Sequence, residues 1–366
     1  MSKQSKFETG FAFGKYCPLH NGHVNLINFG RSLCDSFYVL VCGSNQEAIA
    51  TRTRADWVRE ELGSNSGVIV VEYSYDESLL PNTSESDRDV SQIWSDIFRQ
   101  LLPRTVGLIV TSEPYGEFVA QCMNIEHVCY DQKRSLLPIS STLVKADMRA
   151  NWSFLPRSVR RSYQKLVVIT GTESAGKTTM AAALVQHYMP SDGDSDTGTA
   201  CADADADADA DAGYTGCCGA ALVAEAAREI IADSNDFDMS ALMAVAQAQA
   251  ANITTGRALL RPLVVVDTDV YVTQSYASHA FGEQLELDQS LYEASRADLR
   301  LFLVAAGVPF EQDGTRLGSE ELRRQLDRSH RETLRRYGQP FVELHGTFAE
   351  RFREAVTLID AQFGFP

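Results

Sequence analysis

Nothing in the sequence is suited to entering or crossing a membrane. No run approaches the ~18 uncharged apolar residues of a spanning helix. The first residues, Met1-Ser-Lys-Gln-Ser-Lys-Phe-Glu8, lack the apolar core of a secretory leader. The eight cysteines show no Cys-x-x-Cys spacing, and the adjacent Cys217 and Cys218 have no histidine at ligand spacing, which argues against a zinc cluster. Cys17, Cys34, Cys42 and Cys129 lie in or beside apolar runs, where a free thiol behaves as a small hydrophobe. A reduced, cytoplasmic protein is expected. Base is scarce as well. Lys and Arg number 33 against 49 Asp and Glu, leaving a formal charge of −16. Long-range attraction to nucleic acid or to an anionic membrane therefore has the wrong sign, and neither is expected as a partner.

Half of that acidity is local. Residues 190–213 carry eight aspartates and no Lys or Arg, with an Asp-Ala alternation at their centre. Asp and Ala are poor strand formers and stacked like charges repel, so the segment reads as a solvated surface insertion. It opens like a calcium loop, with Asp192, Asp194 and Asp196. The sixth position is Thr197 instead of Gly, and the twelfth is Asp203 instead of Glu.

What is present suits two α/β domains. Hydrophobic residues make up 44% of the 366 and charged ones 22%, enough for a core in each half. Short β-rich runs at 11–13, 37–42, 68–72, 106–111 and 127–130 alternate with helical patterns. A second series runs through 166–170, 263–266, 299–304 and 341–344, and 348–363 closes the chain as an amphipathic helix. Strands without apolar–polar alternation are buried on both faces, which implies doubly wound parallel sheets. The polar, basic stretch 156–165 is the expected linker, giving domains at 1–160 and 161–366.

Directly after the first strand comes Gly14-Lys15-Tyr16-Cys17-Pro18-Leu19-His20-Asn21-Gly22-His23, followed by a helical pattern. A helix start offers free N–H groups and a positive dipole end to phosphate. Gly14 and Gly22 permit close backbone approach. His20 and His23 can donate to phosphate oxygens from the same side, and Lys15 adds charge where a transition state becomes negative. This segment resembles the His-x-Gly-His nucleotidyltransferases, in which the motif binds ATP phosphates. Their second element matches Ile139-Ser140-Ser141-Thr142-Leu143-Val144-Lys145. Its hydroxyls are expected to donate to phosphate, and Lys145 stands in place of the usual Arg.

A second phosphate site follows the 166–170 strand. Gly171-Thr172-Glu173-Ser174-Ala175-Gly176-Lys177-Thr178 is a full Walker A loop, with Thr179 continuing into a helix. Its backbone would cradle the β-phosphate, Lys177 would bridge the β- and γ-phosphates, and Thr178 would reach Mg²⁺. Asp267, ending the apolar run 263–266, supplies the Walker B carboxylate for the same metal. Arg316 in Asp313-Gly-Thr-Arg316 suits a kinase lid. The later arginines Arg323, Arg324, Arg328, Arg331, Arg335 and Arg336 are interleaved with acids and read mostly as a solvated helix face. Glu225 and Arg228, three apart, either hold a ribose hydroxyl or pair with each other.

The order of the two motifs is more specific than either motif alone. A His-x-Gly-His adenylyltransferase followed by a Walker A kinase resembles the bifunctional NadR-type family over nearly the whole chain. Details that match are Arg54-Ala-Asp-Trp57, Ser112-Glu113-Pro114-Tyr115-Gly116, Trp152-Ser-Phe-Leu-Pro156, Asp267-Thr-Asp269 and Asp313-Gly-Thr-Arg316-Leu-Gly318. The resemblance implies two ATP- and Mg²⁺-dependent activities. One joins nicotinamide mononucleotide to the adenylyl group of ATP, giving NAD and pyrophosphate. The other phosphorylates nicotinamide riboside to the mononucleotide. It further implies that Trp57 stacks on the nicotinamide ring, unless it simply packs in the core, and that Arg54 contacts the mononucleotide. Glu113, Tyr115, Glu225, Arg228 and Asp269 would complete the substrate sites. Ala226 stands where the family usually has an aromatic. About ten residues precede the first strand, so the DNA-binding repressor region of some relatives is not expected, while a homo-oligomer is compatible with the sequence. A transferase–kinase pair for another precursor, such as a coenzyme A intermediate, and a non-catalytic nucleotide sensor are the alternatives.

Overall fold

The computed structural model describes residues 7–63, 67–83, 87–189, 218–231, 237–305 and 320–364. The acidic insertion at 190–213, Cys217, Arg316 and the 312–318 loop fall outside them. The chain divides into two compact units, 1–162 and 163–366.

In the first unit, β1 (Phe7–Gly14), α1 (Asn21–Ser32), β2 (Cys34–Ser44), α2 (Thr51–Leu62) and β3 (Val68–Tyr75) build one half. The other half is α3 (Arg88–Leu101), β4 (Val106–Thr111), α4 (Gly116–Met123), β5 (Glu126–Cys129) and α5 (Ser141–Ala146), with α6 (Arg157–Tyr163) after it. The strand order is β3-β2-β1-β4-β5, every pair parallel. Val39, Leu40, Val41 and Cys42 are consecutive and all fully buried, because both faces of β2 are covered. One face packs an aromatic cluster: Phe13 and Phe98 centroids are 4.7 Å apart, with Phe11 and Trp94 each within 6 Å of Phe98. The order reverses between β1 and β4, the place where open α/β sheets bind ligands at their carboxyl ends.

The second unit contains β6 (Lys165–Thr170), α7 (Lys177–His187), β7 (Ala220–Val223), α8 (Ala227–Ile230), α9 (Met239–Ala258) and β8 (Leu263–Asp267). It continues with α10 (Val270–Phe281), α11 (Gln289–Ala294), β9 (Leu299–Leu303), α12 (Glu320–Arg336), β10 (Val342–Leu344) and α13 (Phe348–Phe363). Its order, β10-β9-β6-β8-β7, is again wholly parallel. Alternation along β6 divides the core. Val167 and Ile169 join Met180 and Leu184 of α7 and Ile359 of α13. Leu166 and Val168 join Ile253 of α9 on the opposite face. The carboxyl ends of β6, β8 and β9 thus lie side by side, and the Walker A loop starts there.

Both sheets are doubly wound and parallel, as expected. Several elements depart from the sequence reading. The stretch read as a polar linker forms α6, with Ser158 and Val159 buried. β7 and the 20-residue α9 were not anticipated; α9 is rich in Ala, and its buried stripe includes the polar Gln249.

Candidate active sites

Where the first sheet reverses, a cavity of about 440 Å³ opens. Gly14 and Lys15 after β1, His20, Gly22 and His23 at the start of α1, and Glu113 and Tyr115 after β4 line it. So do Ser140, Ser141, Thr142 and Lys145 at α5. Residues up to 131 positions apart therefore share one wall, because every contributing loop leaves the carboxyl edge of the same parallel sheet.

His20 caps α1 in an extended conformation. Its backbone N–H donates to His23 Nδ1 at 3.3 Å, and the two rings stack at 3.7 Å between centroids. That bond requires Nδ1 of His23 to be unprotonated, so the neutral ring carries its proton on Nε2 as a donor. Burial, reinforced by Arg134, lowers His20 to about 4. Burial, the neighbouring His20 and Arg134 push His23 well below its ordinary value. At neutral pH both imidazoles are uncharged. Nδ1 of His20 is buried with no partner, the unsatisfied polar atom expected where a ligand's hydrogen bond belongs.

Two of the three hydroxyls of the second element make contacts within the scaffold, and all three residues line the cavity. Ser140 Oγ accepts the Leu143 N–H at 3.2 Å as the α5 cap. Ser141 Oγ donates to the Pro18 carbonyl at 3.2 Å and ties this loop to the histidine loop. Thr142 and Lys145 are exposed at the cavity. Arg134, which the motifs did not single out, also lines it, paired with Glu113 at 3.4 Å. Its loop is turned by Asp131, whose carboxylate accepts the N–H groups of Ser135, Leu136 and Leu137.

Arg54 and Trp57 lie away from that wall. Arg54 is fully buried and donates to the Lys15 carbonyl at 2.7 Å. Trp57 is 4% exposed and its indole donates to Ser162 Oγ at 2.8 Å. The geometry therefore gives both structural positions: α2 turns them inward, where burial requires a partner for each polar nitrogen.

In the second unit the Walker A loop joins β6 to α7. Gly171 has φ +146°, and a Cβ there would stand 2.7 Å from the Leu303 carbonyl of β9, so only glycine fits this turn. Lys177 Nζ donates to the Thr172 carbonyl at 3.1 Å, across its own loop. Thr178 Oγ1 donates to Asp267 Oδ2 at 2.6 Å. Oδ1 of Asp267 is buried without a partner. Burial raises the Asp267 carboxyl and Glu225 adds to this, against the pull of Lys177, Thr178 and Arg228. A hydroxyl beside a desolvated carboxylate with a free oxygen fits Mg²⁺, which prefers hard oxygen ligands and would relieve that cost. Thr179, on the first turn of α7, is exposed, and Glu173 accepts from Tyr276 Oη at 3.4 Å.

Glu225 and Arg228 do pair, at 3.3 Å, and Arg228 also reaches Thr178 Oγ1 at 3.3 Å. Gln249 of α9 fixes them there. It accepts the Ala226 N–H at 2.7 Å and donates to the carbonyls of Asp267 and Thr268. Ala226 is itself buried. Asp269, read as a substrate ligand, is buried against Arg300 at 2.5 Å and caps α10 through the Tyr271 N–H. Its oxygens are committed to the fold.

Arg323, read with a solvated face, is 4% exposed and donates to the Ser174 carbonyl at 3.3 Å. From α13, Arg351 donates to the Ala175 carbonyl at 2.9 Å. A planar trans peptide puts the next N–H opposite its carbonyl, so Arg351 aims the Gly176 N–H away from itself. Replacing Arg351 by Ala should raise the KM for ATP at this site about tenfold, the cost of one lost charged hydrogen bond. Steady-state kinetics at varied ATP measures it.

The AAA domain family matches residues 166–351, just over half of the chain. The chain belongs to the AAA domain family. Beyond the AAA domain, the NadR-type resemblance read from the motifs is borne out. The trifunctional NAD biosynthesis/regulator protein NadR of Escherichia coli K12 is 24% identical over 99% of this chain and 85% of its own length. Its Salmonella typhimurium LT2 counterpart is 22% identical over 97% and 83%. A crystal structure of NadR with NR shares the fold at 20% identity and TM-score 0.60, covering 100% of this chain and 99% of that one. Another, with NAD and AMP-PNP, does so at 19% and 0.57, covering 100% and 98%. Among the described residues no helix is long and apolar enough to cross a membrane.

Proposed function

We propose that the chain is a bifunctional enzyme of NAD salvage. The unit 163–366 phosphorylates nicotinamide riboside, and the unit 1–162 joins the resulting mononucleotide to the adenylyl group of ATP. The observation that carries this reading is the pair of phosphate-binding loops, each at the carboxyl edge of its own parallel sheet. The relatives named for NAD biosynthesis, and the similar structures holding NR or NAD with AMP-PNP, support the substrate choice.

In the kinase reaction the 5′-oxygen of the riboside attacks the γ-phosphorus, the bond to the β–γ bridging oxygen breaks, and ADP leaves. Glu225 orients the hydroxyl and takes up its proton, while Lys177 and the Gly176 N–H stabilise the transferred charge. Mg²⁺, held by Thr178 and Asp267, would neutralise phosphate oxygens. Arg316, outside the described residues, would add positive charge there. In the transferase a phosphate oxygen of the mononucleotide attacks the α-phosphorus of ATP and pyrophosphate leaves. That nucleophile is already anionic, so His20, His23, Lys15, Arg134 and Lys145 need only position and stabilise charge. The requirement of both steps for ATP supports a cytoplasmic location.

The test is stoichiometry. Mononucleotide and ATP with Mg²⁺ should give NAD and pyrophosphate in equal amounts; absence of both at saturating substrate would refute the transferase assignment.

The buried imidazoles also set a pH dependence. His20 stands at about 4 and His330, buried beside α10, at about 3, against 6.5 in the unfolded chain. Between those values the unfolded chain binds more protons, so stability falls as the pH drops below about 6.5. His23 acts in the same direction and Asp267, raised by burial, opposes them. Melting temperatures should be lower at pH 5 than at pH 7.

A further inference from the structure

Behind Lys15 lies an ion-pair cluster that no motif includes. Glu47 follows β2, and its Oε2 accepts the Ser44 N–H at 2.9 Å, which closes a tight turn. The same Oε2 is 2.9 Å from Arg54 Nη2, and Oε1 is 2.9 Å from Lys15 Nζ. Arg54 in turn donates through Nη1 to the Lys15 carbonyl. Lys15 is thus held at both ends, its carbonyl by Arg54 and its ammonium by Glu47, and the two holders are bonded to each other. Arg54 cannot retreat. A Cβ on Gly43 would stand only 2.3 Å from Nη2, so the guanidinium is packed directly against the β2 backbone. A second carboxylate, Glu77, lies 3.7 Å from Lys15 Nζ and is itself held by Asn82 at 2.7 Å.

Two cations and two carboxylates balance within the cluster, and only Lys15 among them lines the cavity. Burial pushes the Glu47 carboxyl up, but Lys15, the Ser44 amide and Arg54 together bring it below its ordinary value. It is ionised at neutral pH.

We propose that Glu47 is a positioning residue for adenylyl transfer, setting where the Lys15 ammonium stands on the cavity wall through ion pairs shared with Lys15 and Arg54. The proposal rests on the reading that Lys15 serves the transferase site. Arg54 then acts through Lys15 without touching the mononucleotide.

A double-mutant cycle on the intact chain tests it, following NAD formation from mononucleotide and ATP. Glu47→Gln keeps an acceptor for Arg54 but removes the charge facing Lys15. It should lower kcat about tenfold, and Lys15→Met about a hundredfold. Combined, they should be no worse than Lys15→Met alone, because the interaction is already gone. A merely structural Glu47 costs the same factor in both backgrounds, and that result, or wild-type kcat for Glu47→Gln, overturns the proposal alone. If Lys15→Met leaves NAD formation unchanged, the reading of Lys15 falls and the proposal with it. Should Glu47→Gln fold poorly, Glu47→Asp retains both charges but withdraws the carboxylate by one methylene. It should lose activity in the wild-type background only, and equal losses in both backgrounds would again overturn the proposal.

Discussion

Replacing Lys177 by Ala should lower nicotinamide riboside phosphorylation ~10²–10³-fold, while the same protein should still make NAD from supplied mononucleotide at the wild-type rate. The magnitude follows from removing one preorganised charge at the group being transferred, in a site where the other described cations are already engaged. Lys177 opens α7 directly after Gly176, at the positive end of the helix dipole. The neighbouring cations cannot substitute. Arg323 and Arg351 are buried and donate to carbonyls of the loop, and Arg228 is engaged with Glu225 and Thr178. The selectivity follows from the division into two units, each with its own sheet and its own loop. Separate assays with riboside and with mononucleotide check both halves. Retention of riboside phosphorylation in the variant would remove the kinase assignment.

The mirror result is expected at the other unit. His20→Ala or His23→Ala should lower NAD formation ~10²–10³-fold and leave riboside phosphorylation intact. The effect comes from lost hydrogen-bond donors, since both rings are uncharged at neutral pH. A consequence follows for pH. In the absence of nucleotide neither ring titrates near 6.5, so kcat/KM for adenylyl transfer should show no histidine inflection between pH 6 and 8. A clear inflection there that His20→Ala removes would show that the imidazole works as a cation. His23 should be the less replaceable of the two, because its Nδ1 also accepts the N–H that begins α1.

Much of the fold is legible in the sequence. The strands of both sheets are short apolar runs, and the two phosphate loops are local motifs whose geometry follows from a strand, a glycine turn and a helix start. Thr178 with Asp267, and His20 with His23, are brought together in the fold. What the sequence concealed depends on distant partners. Arg54 looks like a ligand until the Lys15 carbonyl, 39 positions away, accepts its hydrogen bond. Asp269 shares its dipeptide spacing with Asp267, yet Arg300 of β9 claims it. Arg323 sits among alternating acids and bases that read as surface, but the carbonyl it binds is 149 residues earlier. The scaffold contacts of Ser140 and Ser141 are equally hidden: Ser140 Oγ accepts the Leu143 N–H, and Ser141 Oγ donates to the Pro18 carbonyl 123 positions away. Gln249 gave no signal, being one polar residue on an Ala-rich helix. Its role is visible only where β8 and the Glu225 segment converge.

The central claim is that one chain performs both steps in sequence. Incubating the intact protein with nicotinamide riboside, ATP and Mg²⁺, and following products by mass over time, tests it most directly. Mononucleotide should appear first and NAD after it, with ADP and pyrophosphate released in the two steps. Formation of neither pyridine nucleotide at saturating substrate would contradict the account.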